Sequence, residues 1–325
     1  VPTYSRPWKS FEEQLALLRS RGMEAPDTED TLHQLSNLGY YRLSAYWFPF
    51  RKFELQQDHT GGPVKYVRQD QFYPNTHFAD TINLYAFDKK LRSLAFEALE
   101  CIEVAVRVDI AHQLGKRDTF AHHSINEFHN GVANKVNNRT NKRRFDEWQE
   151  KYGSLVSRSK EDFVKHYRAK YGQDLPIWVA IETWDFGAMS QLYAMMKVPD
   201  KIQIAMKYGI TWQVFESWLR SLNYLRNLVA HHSRVWNRNV IDQPKLPRLG
   251  ELDWCDSFRG NTQATSRSFL LLAIAGHFLK KVCVNEEWHL ELQVHLESFP
   301  EQHSDKKLDI SDIGVVSNWK EWWLT

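Results

Sequence analysis

Four polar side chains near residues 218–238, WLRSLNYLRNLVAHHSRVWNR, have types and spacing that suit chemistry: Arg226, Asn227, His231 and His232. A guanidinium stays charged at physiological pH and grips phosphate oxygens through a planar fork. An imidazole titrates near pH 6.5, at about the pH where a cell works, so it can give or take a proton. Together with an amide, these groups can stabilise, orient and protonate a phosphate. Trp218, Leu222, Leu225 and Val229 fall at helical spacing and predict a helix with one apolar stripe. A helix turns about 100° per residue, so Arg226 and His231 should stand roughly 140° apart. Asn227 and His231, four apart, should share a face. Either the helix loosens near Ala230, or a second motif completes the site.

The Arg-Asn-x-x-x-His run from Arg226 to His231 resembles the Arg-x4-His form of the signature of HEPN-domain ribonucleases. The wider string AHHSRVWNR, the YYRLSAY block at 40–46, FDKKLR at 87–92, EALECIEVAVR at 97–107 and FGAMS at 186–190 resemble the Abi-like group of bacterial abortive-infection proteins, the AbiD and AbiF type. The resemblance spans roughly residues 4–238 and thins in the C-terminal third. It implies a HEPN-like helical bundle and a role in phage defence, with metal-independent RNA cleavage that leaves a 2′,3′-cyclic phosphate. A regulatory non-coding RNA partner is a further implication. In that chemistry the 2′-hydroxyl loses a proton as it attacks phosphorus, and the 5′-oxygen gains one as it leaves. Arg226 would bind the phosphorane-like transition state, His231 would act as general acid or base, Asn227 would orient the scissile phosphate or the imidazole, and His232 is a helper or a structural neighbour.

A second copy of the spacing, Arg107 to His112, lies upstream, with Val108 where the first copy has Asn227. It reads as a degenerate or chance match, yet it is the best internal candidate for a second half-site. The alternative is a homodimer, in which two motif helices meet across a twofold axis and bring both Arg-His pairs together.

RNA also needs a cationic surface, and the chain's net charge is only +2, so any such surface must be local. Residues 134–170 hold eleven Lys and Arg against five Asp and Glu, a local net charge of +6. Lys135, Arg139, Lys142, Arg143 and Arg144, interleaved with Phe145 and Trp148, form its centre and are the candidate RNA-binding residues. His122, His123 and His129 lack ligand spacing and read as surface histidines, so no metal or other cofactor is implied. There is no phosphate-binding Gly-rich loop and no hydrolase or metalloprotease motif. The alternatives to an endoribonuclease are a non-catalytic RNA-binding protein and a helical scaffold that binds protein partners.

These residues must be held by a mostly helical chain. At 325 residues, 42% hydrophobic and 25% charged, the composition is that of an ordinary globular protein. The expected class is all-α, a multi-helix bundle with N-terminal and C-terminal helical additions and at most a small β-hairpin near 54–75. The expected organisation is an N-terminal helical segment at 1–76, a HEPN-like core at 77–242 with a basic insertion at 132–171, and a C-terminal helical extension at 243–325. The longest periodic segment, 80–114, repeats apolar residues at steps of three or four from Leu84 to Ile110 and predicts one long helix, with Glu103 and Arg107 paired on its polar face. The apolar stretch 178–196 is expected to pack against it. The aromatic block 40–48 is expected to be core. Three cysteines without a C-x-x-C pair suggest reduced thiols, and no apolar run is long enough to span a membrane. With no signal-peptide core at the N-terminus, the expected location is cytoplasmic.

Overall fold

A computed structural model describes residues 3, 5, 7–56, 65–283 and 287–324. The fold is all-α: 63% of the chain is helical, and the described residues hold two small two-stranded sheets. The chain divides into two compact units, residues 1–91 with 293–312, and residues 92–292 with 313–325.

In the first unit, α1 (Phe11–Ser20) starts on a capping box, with Ser10 accepting from the Glu13 amide and Glu13 reaching back to the Ser10 amide. Helix α2 (Glu29–Leu38) ends at Gly39, whose φ of 80° lets the chain turn at once into α3 (Tyr40–Trp47). The aromatic block divides as helical geometry requires. Tyr46 and Trp47 are buried, while Tyr41 and Phe48 are exposed, so only part of the block is core. Strands β1 (Arg51–Gln56) and β2 (Lys65–Phe72) pair antiparallel, with an irregularity between Arg51 and Phe53. They give the small hairpin expected near 54–75, and Gly61, Gly62 and Pro63 lie outside the described residues.

Helix α4 (Phe78–Gly115) runs 38 residues without a break. Its early polar residues are not a solvated face. Asp80 is fully buried and accepts from the His77, His303 and Ser304 amides, and buried Asp88 accepts from the Tyr46 hydroxyl at 2.6 Å. Burial opposes ionisation of Asp80, and those donors outweigh it, holding its carboxyl below the usual range.

The second unit begins within α4 and continues with α5 (Asn130–Ala133), β3 (Val136–Asn137), β4 (Lys142–Arg143), α6 (Arg144–Arg158), α7 (Asp162–Tyr171), α8 (Ile177–Ala180), α9 (Phe186–Met195), α10 (Val198–Lys207) and α11 (Trp212–Ala230). Then come α12 (Asp253–Asp256), α13 (Thr262–Thr265), α14 (Ser268–Val282), α15 (Glu287–Glu297), whose residues from 293 on belong to the first unit, and α16 (Trp319–Trp323). The pair β3–β4 places a second small hairpin in the basic insertion, where only helix or loop was expected. The apolar stretch 178–196 is broken at Trp184-Asp185, and Asp185 caps α9 by accepting from the Ala188 amide. The stretch meets α4 at its start, where Trp178 lies beside Gly115 and the Trp184 carbonyl accepts from Arg107, while the closest backbone neighbours of α9 are α11 and α6. The terminal Trp319 and Trp323 are buried. Trp323 stacks on Phe269 of α14 and donates to the His289 carbonyl.

His122 is not a surface residue. It is fully buried, edge-on to Tyr152 and close to Trp184, while His123 and His129 are exposed as expected. Burial, and then the neighbouring His123, push the His122 pKa down to about 3. The unfolded chain therefore takes up a proton near pH 6.5 that the folded chain refuses. Stability is complete above about pH 6.5 and falls as pH drops toward 3. Each unit costs up to about 1.4 kcal/mol, so thermal denaturation should show a loss of roughly 2 kcal/mol between pH 6.5 and 5. His122→Phe should flatten that slope; an unchanged slope would show that another group sets it.

Candidate functional site

Helix α11 is positioned by its buried stripe. Phe215, Trp218, Leu219, Leu222 and Leu225 are fully buried, and the indole of Trp218 donates to the Lys245 carbonyl. The helix keeps its register through the motif, since the His231 amide still donates to the Asn227 carbonyl. It does not loosen before His231. It stops immediately after, in a left-handed C-terminal cap. His232 has φ of 54°, its amide donates to Val229, and the Ser233 amide donates to Leu228 at 2.8 Å. That position usually takes Gly or Asn, so an imidazole there is held at a conformational cost of about 1 kcal/mol. The roughly 140° separation of Arg226 and His231 therefore stands, and the two do not share a face.

Asn227, His231 and His232 are exposed at this end of α11. The His231 side chain makes no hydrogen bond or ion pair among the described residues.

Arg226 is half-buried and looks the other way, into a cleft of about 280 Å³ that it lines with Phe96, Glu100, Glu103, Val104 and Arg107. The two arginines of the two Arg-x4-His copies thus meet on one cleft. Their states differ. Arg107 is tied down, donating to Glu103 and to the Trp184 carbonyl, and the side chains of this pair are 15% and 14% exposed. The Arg226 side chain makes no hydrogen bond or ion pair among the described residues. It acts on its surroundings only through its field. Burial raises the Glu103 carboxyl above its usual range, against the pull of Arg107 and Arg226. Burial also pushes Asp185 up, but hydrogen bonds from Lys151 and the Ala188 amide, with Arg226 nearby, bring it below the usual range. A half-buried cation left uncommitted on a cleft wall can take an anionic group from solution.

His112 is exposed and does not line this cleft, because Arg107 and His112 sit on an unbroken helix with the same azimuthal offset. The basic segment also differs from expectation. Phe145 and Trp148 are buried, with the Trp148 indole donating to the Ala188 carbonyl, so they are core and not a stacking surface. The spacing of Phe145, Trp148, Tyr152 and Leu155 is the buried stripe of α6. Lys135, Arg139, Lys142 and Arg143 are exposed. Lys142 pairs with Glu150, and Arg143 pairs with Asp146 through two hydrogen bonds. Arg144 alone of the five is half-buried, and it lines a second cleft beside α9 and α11 that sequence reasoning did not find. Among the described residues, no group of three or more His, Cys, Asp or Glu is placed to hold a metal ion.

The family model described as Abi-like protein matches residues 33–237. The chain belongs to the Abi-like family. The matched span of this Abi-like protein runs from within α2 to just past the cap of α11, and so contains both Arg-x4-His copies, the basic segment and both clefts' α4, α9 and α11 walls. No curated protein matched the Abi-like chain, and no solved structure matched it. Among its described residues, no helix is long and apolar enough to cross a membrane.

Proposed function

We propose that this Abi-like protein is a HEPN-type endoribonuclease of abortive infection, cutting RNA without a metal ion. The observation that carries the reading is the state of the motif. Arg226 is uncommitted on a cleft wall, and His231 is uncommitted and exposed at the tip of the same helix. His231 takes the 2′-hydroxyl proton or delivers one to the 5′-oxygen. The 2′-oxygen forms its bond to phosphorus as the phosphorus–5′-oxygen bond breaks, leaving a 2′,3′-cyclic phosphate and a free 5′-hydroxyl. Arg226 neutralises the charge that gathers on the equatorial oxygens. Asn227 shares the face of His231 and orients the phosphate or the ring.

One α11 cannot aim Arg226 and His231 at the same phosphorus. A second copy of the chain, contributing its own Arg226 and His231, would complete the constellation, and this favours a homodimer. The offset also supports a second reading, in which a single chain grips RNA through Arg226 without cutting it. A regulatory RNA that holds the protein in check fits either reading.

Purified protein incubated with labelled single-stranded RNA in excess EDTA is expected to yield fragments ending in 2′,3′-cyclic phosphate. Intact RNA after incubation at protein concentrations that saturate binding would overturn the enzymatic reading and favour the second.

A further inference from the structure

We propose that the cleft between α9 and α11 is a nucleotide seat, holding one residue of the RNA strand beside the scissile link. The proposal rests on the RNA reading above and adds where the strand lies.

The cleft measures about 520 Å³, within the range of small-ligand sites and too large for a phosphate alone. Its α9 wall carries small side chains, with Gly187 and Ser190 one turn apart, which leaves room between the helices. Three cations enter it from three elements: Arg144 at the start of α6, Arg220 on α11, and Lys245 from the segment after α11. The side chains of Arg144 and Lys245 make no hydrogen bond or ion pair among the described residues. The nearest carboxylate to Arg220 is Asp242 at 3.8 Å, and both side chains are about half exposed, so that pair is weak. The one acid lining the cleft, Glu216, is already neutralised by the buried Lys201 ammonium at 2.6 Å. The balance inside is therefore strongly positive, and three converging cations repel one another until an anion arrives.

The remaining lining points to a nucleotide. Trp212 supplies an apolar wall, and Gln191 and Asn223 supply amides that can donate to or accept from a base edge. Position along α11 links this seat to the motif. Glu216, Arg220, Asn223, Asn227 and His231 follow one another at steps of three or four and form a single stripe on the helix. A strand seated in the cleft and running along that stripe reaches His231, about 12 Å beyond Asn223 at the helical rise. Arg226 lies off the stripe. The cleft thus serves the face of the helix that carries the imidazole.

The test is fluorescence anisotropy of the full chain with a fluorescein-labelled single-stranded 12-nucleotide RNA across a salt series. Arg144→Gln/Arg220→Gln should weaken binding at least tenfold and reduce the log–log salt slope by about 1.4, the value for two single-strand phosphate contacts. Ser190→Tyr fills the cleft without changing charge and should weaken binding at least fivefold with the slope unchanged. If the double variant fails to fold, Ser190→Tyr decides. Wild-type affinity and slope in a folded double variant, or wild-type affinity in folded Ser190→Tyr, overturns the seat. Weakened binding in a protein that never cuts RNA would sink the nuclease and leave the seat standing. Normal binding by both variants beside normal cleavage would do the reverse.

Discussion

His231→Ala is expected to lower RNA cleavage by about 10²- to 10⁴-fold, the range that a positioned acid or base supplies. The same variant should keep RNA affinity within about twofold and its melting temperature within a few degrees. The separation of the two effects follows from where the ring sits. His231 is exposed, its side chain holds nothing among the described residues, and the cap it belongs to is closed by backbone amides that alanine retains. Little stability is therefore lost when the ring goes, and a large fall in rate would have to be chemical. His112→Ala serves as the matched control, since His112 is also an exposed histidine five residues after an arginine. It should leave cleavage unchanged if the upstream copy is not a working half-site. Cleavage at the wild-type rate by His231→Ala would refute the assigned chemistry outright.

The helices were legible where a periodic apolar stripe ran long enough to outvote local noise. Residues 80–114 gave α4 and the cluster from Trp218 to Val229 gave α11. The basic segment misled because charge and aromatics alternate along its sequence. Projected on a helix, Phe145, Trp148, Tyr152 and Leu155 fall on one side and turn inward, a pattern that was present in the spacing. His122 was illegible for another reason. Its neighbours Tyr152 and Trp184 come from 30 and 62 residues downstream, and nothing in its own polar surroundings reports them. The two motif arginines are likewise indistinguishable in sequence, because Arg107 is committed by a carbonyl 77 residues away. The cleft beside α9 is lined from α6, α9, α11 and the segment after α11, so no local pattern could announce it.

That commitment of Arg107 makes the opposite prediction to His231. Arg107→Met is expected to destabilise the fold by about 3 kcal/mol, the lower end of the cost of removing one partner from a buried ion pair, because this pair is only partly buried. At roughly 2–4 °C per kcal/mol this is a fall of at least 6 °C in melting temperature. The loss arises less from the missing bonds than from what remains: a Glu103 carboxylate 14% exposed with its nearest cation gone. A half-site role predicts the reverse, lost cleavage in a protein that melts normally. Protonation offers a way to tell a stranded charge from a simple packing defect. Burial already raises the Glu103 carboxyl, and removing Arg107 takes away one of the two cations that oppose that shift. A carboxyl whose folded pKa lies above its unfolded value weakens folding as pH rises through that folded value and is relieved as pH falls back. The deficit of Arg107→Met, measured as a difference from wild type at the same pH so that His122 cancels, should therefore be smaller at pH 5 than at pH 7.5. Glu103→Gln/Arg107→Met should recover part of the loss at pH 7.5, because it leaves no ion behind. A deficit that is the same at both pH values and undiminished in the double variant would mean that Arg107 supports the fold through its packing and its bond to the Trp184 carbonyl, and not by compensating Glu103.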